Sequence, residues 1–125
     1  MADQPNAAMV RKAIEALNSE DYEGFANLVH DDVVWHVIGS SQPVRGKAAM
    51  AEGLGGGGSD FTITAELHDL TSSDDHVVAL VKAHATRGGQ TLDYNTAEIF
   101  HIKDGKVSER WAFSDDTARI TEFFG

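Results

Sequence analysis

Apolar positions recur along this chain with a helical period at its start and a strand period through its second half. Val10, Ala13, Ile14 and Leu17 fall on one stripe, with Arg11, Lys12 and Glu15 off it, which predicts an amphipathic helix beginning at Pro5 or Asn6. Asn18-Ser19-Glu20-Asp21 ends it. Asp21 then caps a second short helix that carries Tyr22, Phe25, Leu28 and Val29 inward. The β-branched and aromatic run Val33 to Ile38 predicts a strand, Gly39 to Gly46 a loop, and Gly46 to Leu54 a third short helix. From Phe61 onward the period is two: Phe61, Ile63, Ala65 and Leu67 share one face. Further strands are expected at Val77–Thr86, Leu92–Ile102 and Val107–Ser114. Ser72-Ser73-Asp74-Asp75, Gly88-Gly89 and Asp104-Gly105 supply the turns between them. A final helical turn follows Asp115 or Asp116 and carries Ile120, Phe123 and Phe124.

Helices first and a meander afterwards predict one α+β domain over residues 1–125, with a curved sheet wrapped around the helices. Such a sheet leaves a concave, apolar space suited to a small ligand. The run Gly55-Gly56-Gly57-Gly58-Ser59 cannot hold a helix. It is either a flexible native loop or an engineered linker, and no Gly-Lys-Ser/Thr follows to make it a phosphate loop.

Composition then removes several functions. Twenty acidic residues against ten basic give a net charge of −10, which repels a phosphate backbone, so no nucleic-acid partner is expected. There are no cysteines for a thiol nucleophile, a disulfide or a thiolate metal site. The six histidines show no HxH or HxxxH spacing, so no metal is expected. No run is long and apolar enough to span a membrane, and the polar start Met1 to Asn6 does not read as a secretion signal. A cytoplasmic protein that does not engage the membrane is the expectation. No Gly-x-Ser-x-Gly elbow is present.

Ala16-Leu17-Asn18 before Asp21, the stretch Leu28 to Trp35-His36, and Arg45-Gly46-Lys47 resemble the nuclear transport factor 2-like superfamily. So do Asp104-Gly105-Lys106-Val107 and Trp111-Ala112-Phe113 ahead of Asp115-Asp116. Within it the chain is most similar to the SnoaL-like and ketosteroid isomerase-like group. The resemblance implies a cone-shaped curved antiparallel sheet around three N-terminal helices, an apolar cavity and a homodimer. Isomerases, polyketide cyclases, epoxide hydrolases and non-catalytic proteins all share that fold. Steroid isomerases use an aspartate base with a tyrosine and a neutral acid as oxyanion donors. Those positions fall near Val37, Ala13 and Glu98, so only the last keeps its functional group, and steroid isomerisation is not implied.

Alternation places Glu98, Thr96, Phe100 and Tyr94 on one face, and Glu109, Trp111, Phe113 and Asp115 on one face of the next strand. With Trp35 and Val37 these form the expected substrate pocket. Desolvation of a carboxyl there would favour its protonated form and suit it to proton transfer near neutral pH. Following the SnoaL-like cyclases, Asp115 is the expected base and Glu98 its partner, with His36 as a further proton carrier. No cofactor is needed for such work. The expected substrate is a small apolar carbonyl compound or epoxide. Three readings compete with catalysis. In these, Asp115 caps the last turn, Glu98 faces solvent, and Glu109-Arg110 is a surface pair. A non-catalytic binding cup is the alternative function. A third possibility is an interaction module whose outer sheet face, with His36, His84, His101 and Arg110, carries the homodimer contact.

Overall fold

The computed structural model describes residues 4–53 and 61–124, so the glycine run 55–59 lies outside the described residues. Helix α1 (Pro5–Asn18) starts where Gln4 caps it: the Gln4 side chain accepts from the Asn6 and Ala7 amides, and Pro5 occupies the first turn. Its stripe buries Val10, Ala13 and Ile14, as the spacing predicts, together with Ala7, while Leu17 is half-buried. Helix α2 (Tyr22–Ala26) is capped by Asp21, whose Oδ1 accepts from the Gly24 amide at 2.9 Å. Helix α3 (Lys47–Gly53) and helix α4 (Thr117–Phe124) complete the described set of four. Asp116, not Asp115, makes the α4 cap, accepting from the Arg119 amide at 3.2 Å.

Six strands form one curved, unclosed sheet: β1 (Val29–Trp35), β2 (Val44–Arg45), β3 (Phe61–Ser72), β4 (His76–Arg87), β5 (Gln90–Lys103) and β6 (Lys106–Ser114). Their order is β2-β1-β6-β5-β4-β3. The late strands make the expected hairpins, and both tight turns use positive φ: Gly88 and Gly89 at 56° and 82°, Asp104 and Gly105 at 53° and 76°. The sheet is mixed rather than antiparallel, because β1 runs parallel to β6. Val29 to Asp32 belong to this strand although Leu28 and Val29 read as helix. Val107 donates to the Leu28 carbonyl and locks that end.

Two bulges decide which side chains face inward. The β3–β4 register shifts between Leu67 and Asp69, leaving His68 as the extra residue and turning Leu70 to the same side as Leu67. The β5–β6 register shifts between His101 and Ile102, leaving Ser108 as the extra residue. Val107 and Arg110, three apart, therefore both point inward. The core lies between the concave face and the helices, where Val10, Ile14, Phe25, Val33, Phe100 and Val107 pack together. Burying one such valine contributes about 1.5–3 kcal/mol as an upper figure.

Candidate functional site

A cavity of about 300 Å³ opens between α1, α2 and the sheet. Ile14, Leu17, Phe25, Val81, Phe100 and Val107 make its apolar wall. Asn18, which ends α1, fixes one edge: its side chain donates to the Ala65 carbonyl and accepts from the Ala65 amide, at 2.6 and 2.8 Å. That two-way bond also covers backbone groups of the edge strand β3.

Glu98 projects into this space from β5 and Arg110 from β6. Arg110 donates through Nε and Nη2 to Glu98 Oε1 at 3.0 and 2.9 Å, and through Nη1 to the His36 carbonyl at 2.9 Å. Its guanidinium carbon lies over the Trp35 ring, 4.6 Å from the centre, a cation–π contact. Trp35 is itself wedged edge-on between Phe25 and Phe100. Thr96 Oγ1 donates to Glu98 Oε2 at 3.0 Å. The two charged side chains are only 15% and 11% exposed, so each depends on the other for compensation.

Tyr94 lies two strand positions before Thr96 and also lines the cavity. Burial, and to a lesser degree the nearby Glu98 charge, push its phenol up to about 12, with Arg110 opposing. It is therefore a neutral hydrogen-bond donor throughout the physiological range. A second cavity, of about 370 Å³, shares Trp35, Phe61, Ile63, Tyr94 and Arg110 with the first. It continues past Val37, Val44, Met50, Ile120 and Phe124.

The sequence reading of β5 matches this geometry: Tyr94, Glu98 and Phe100 line the cavity and Thr96 is buried beside them. Trp35 lines both cavities, and Val37 lines the second. The reading of β6 is corrected. The bulge at Ser108 inverts the alternation, so Glu109, Trp111 and Phe113 lie on the other face and the inward residue is Arg110. Arg110 is thus no surface residue and no part of the outer face. The missed clue was the three-residue spacing of Val107 and Arg110, which period-two reading cannot accommodate.

Asp115 also stands apart from both cavities. It is exposed, and its carboxylate accepts from the Asn95 amide at 3.1 Å and from Asn95 Nδ2 at 2.9 Å. Those bonds hold its pKa below the usual carboxylate value, opposite to the expected upward shift. His36 turns away from the cavity. It stacks on Trp111 with ring centres 5.5 Å apart and bonds Glu109 Oε2 at 2.6 Å. This outer face is built in rows: Leu80, Ala97 and Phe113 lie opposite one another, then Val78, Ile99 and Trp111, then His76, His101 and Glu109. Leu80 is 41% and Phe113 61% exposed. Among the described residues no group of three His, Asp or Glu side chains is placed to hold a metal ion. No described helix is long and apolar enough to cross a membrane.

The profile of the SnoaL-like domain family matches residues 10–110. An uncharacterised protein of Mycobacterium tuberculosis H37Rv, Rv0034, is 26% identical over 99% of both chains. Bal32a, encoded in a soil-derived mobile gene cassette, is 28% identical with a TM-score of 0.83, covering 97% of each chain. An LEH-like epoxide hydrolase from M. tuberculosis superposes with a TM-score of 0.81 at 18% identity, over 94% of this chain and 87% of its own. At that identity the likeness speaks for the fold alone.

Proposed function

The chain belongs to the SnoaL-like domain family within the nuclear transport factor 2-like superfamily, and from that premise we propose that it is a cofactor-free acid–base enzyme acting on a small, mostly apolar carbonyl or epoxide compound. The observation that carries this reading is the Glu98–Arg110 pair set beside Tyr94 into a cavity whose lining is mostly apolar.

The two oxygens of Glu98 have different duties. Oε1 takes both Arg110 bonds and fixes the carboxylate's orientation; Oε2 accepts only from Thr96 among the described residues. Oε2 is therefore the atom placed to take a proton. With a carbonyl substrate, the proton leaves the adjacent carbon for Oε2 and the electron pair moves to the carbonyl oxygen. The neutral Tyr94 hydroxyl and Arg110 N–H groups oppose the developing charge. Return of the proton to the same or a conjugated carbon completes exchange or isomerisation. With an epoxide, Oε2 would instead take a proton from water as the water oxygen attacks a ring carbon. That carbon's bond to the ring oxygen breaks, and the Tyr94 hydroxyl donates its proton to the released oxygen. The proton on Glu98 returns to the Tyr94 phenolate through solvent, leaving a diol. Glu98 takes the base role expected of Asp115, which the Asn95 bonds occupy at the surface.

Deuterium uptake next to the carbonyl of small neutral ketones in D2O, read by mass spectrometry, tests this. Glu98→Gln is expected to slow uptake by about a hundredfold or more. Equal uptake by the variant and the parent removes Glu98 as the base.

A second reading has its own observation. Both Glu98 oxygens already hold hydrogen bonds and Arg110 cancels its charge, which suits a cup that binds without reacting. A ligand bound tightly but never exchanged, at any pH, selects that reading. For the assembly, the Leu80–Ala97–Phe113 row, with Leu80 and Phe113 exposed, supports a homodimer through the outer sheet face, with His36, His84 and His101 on the same side. Sedimentation of Phe113→Glu, expected as a monomer against a dimeric parent, checks it.

A further inference from the structure

We propose that the two cavities are the two arms of one binding site, and that its ligand is an uncharged molecule with a single oxygen function near its middle and an apolar arm on each side. The inference rests on the reading of the cavity as a ligand site. It adds where the reacting oxygen lies within the substrate, and what charge the substrate carries.

Three observations carry it. The residues common to both cavities are Trp35, Phe61, Ile63, Tyr94 and Arg110. The polar groups at that waist are the Tyr94 hydroxyl and the Arg110 guanidinium, whose three protein bonds leave further N–H donors on Nη1 and Nη2. On either side the walls are mainly apolar: Leu17, Phe25 and Val107 in the first arm, which also carries Asn18, Glu20 and Thr64, and Val44, Met50 and Ile120 in the second, which also carries Ser40 and Thr121. A ligand with its oxygen at one end fills one arm and leaves the other without apolar contacts.

Charge makes the second part of the argument. The guanidinium at the waist is already neutralised by Glu98 at 2.9 Å, so no net positive charge awaits an anion. Glu20 lines the first arm, and the whole chain carries −10. A buried carboxylate ligand would lose its hydration without gaining a counter-charge. An uncharged carbonyl, hydroxyl or epoxide oxygen loses much less and finds donors at the waist.

The test is competitive displacement of a neutral naphthylamine fluorophore from the full chain. Dihexyl ketone and methyl undecyl ketone are isomers that differ only in where the oxygen sits. Dihexyl ketone is expected to bind about tenfold more tightly, because both arms are then filled with the oxygen at the waist. Tridecanoate, the anion of matching length, is expected to bind more weakly than either. Val37→Trp adds bulk to the second arm from a position that is 43% exposed, so the fold has room for it. It should erase the preference for dihexyl ketone while leaving the short methyl hexyl ketone within about twofold of its parent value. Equal binding of the two isomers, a preference that survives Val37→Trp, or tighter binding of tridecanoate each overturns the proposal. The readout is binding alone. A protein that prefers dihexyl ketone yet never exchanges its protons keeps this inference and loses the catalytic one.

Discussion

Replacing Arg110 by methionine should damage this protein more than any exposed charge could. The substitution keeps an unbranched side chain against Trp35 but deletes both bonds to Glu98 Oε1 and the bond to the His36 carbonyl. The Glu98 carboxylate, with a side chain only 15% exposed, is left with Thr96 as its donor. Stranding one partner of a buried ion pair costs about 3–5 kcal/mol. A domain of this kind has a total stability of roughly 5–15 kcal/mol. With a urea m-value of about 2 kcal/mol per molar, the unfolding midpoint should fall by about 2 M. Urea titrations followed by circular dichroism measure this directly. The double variant Glu98→Leu/Arg110→Met removes both charges, and should recover to within about 1 kcal/mol of the parent or exceed it. A single variant that loses no more than about 1 kcal/mol would mean that water screens the pair. A double variant as weak as the single one would mean that shape, not charge, is what Arg110 supplies. Either result refutes the reasoning.

Two further expectations follow from the titrating groups. The Tyr94 phenol, raised from 10.0 to about 12, favours the protonated state in the fold; the stability linked to it is full below pH 10 and declines as pH rises toward 12. In Tyr22→Phe, where Tyr94 is the remaining tyrosine, tyrosinate absorbance should still be small at about pH 11 while the protein stays folded, and full ionisation there contradicts the burial argument. Asp115 has the opposite sign: its depressed pKa adds stability above the ordinary value of 3.8 and loses it as pH falls through that region. Asp115→Asn should therefore flatten the acid limb of the stability curve and leave deuterium uptake intact; lost uptake would restore Asp115 to the chemistry.

The helices and hairpins were legible because each is specified locally. Val10 and Ile14 mark a stripe, Asp21 caps, and Asp104-Gly105 and Gly88-Gly89 supply the left-handed backbone their turns need. The inward set Tyr94, Thr96, Glu98 and Phe100 followed from plain alternation along an unbroken stretch of β5. What failed was non-local. The parallel pairing of β1 with β6 joins segments far apart in sequence, and nothing near Val29 announces it. One bulged residue, Ser108, moved Arg110 from the surface into the cavity and moved Glu109, Trp111 and Phe113 out of it. Ser108 donates to the His101 carbonyl at 3.1 Å where the register slips, a bond that no local pattern signals. The central pair was thus half visible: Glu98 could be named, and its partner was read as an exposed neighbour of Glu109.

The most direct test of the site is the nitrogen–proton spectrum of the arginine side chains during titration with dihexyl ketone. The Arg110 Nε–H resonance, identified by its absence from Arg110→Met, should be protected from solvent by its bond to Glu98 and should shift as the ketone binds. A ketone that binds and moves other resonances while the Arg110 signal stays fixed would contradict the account.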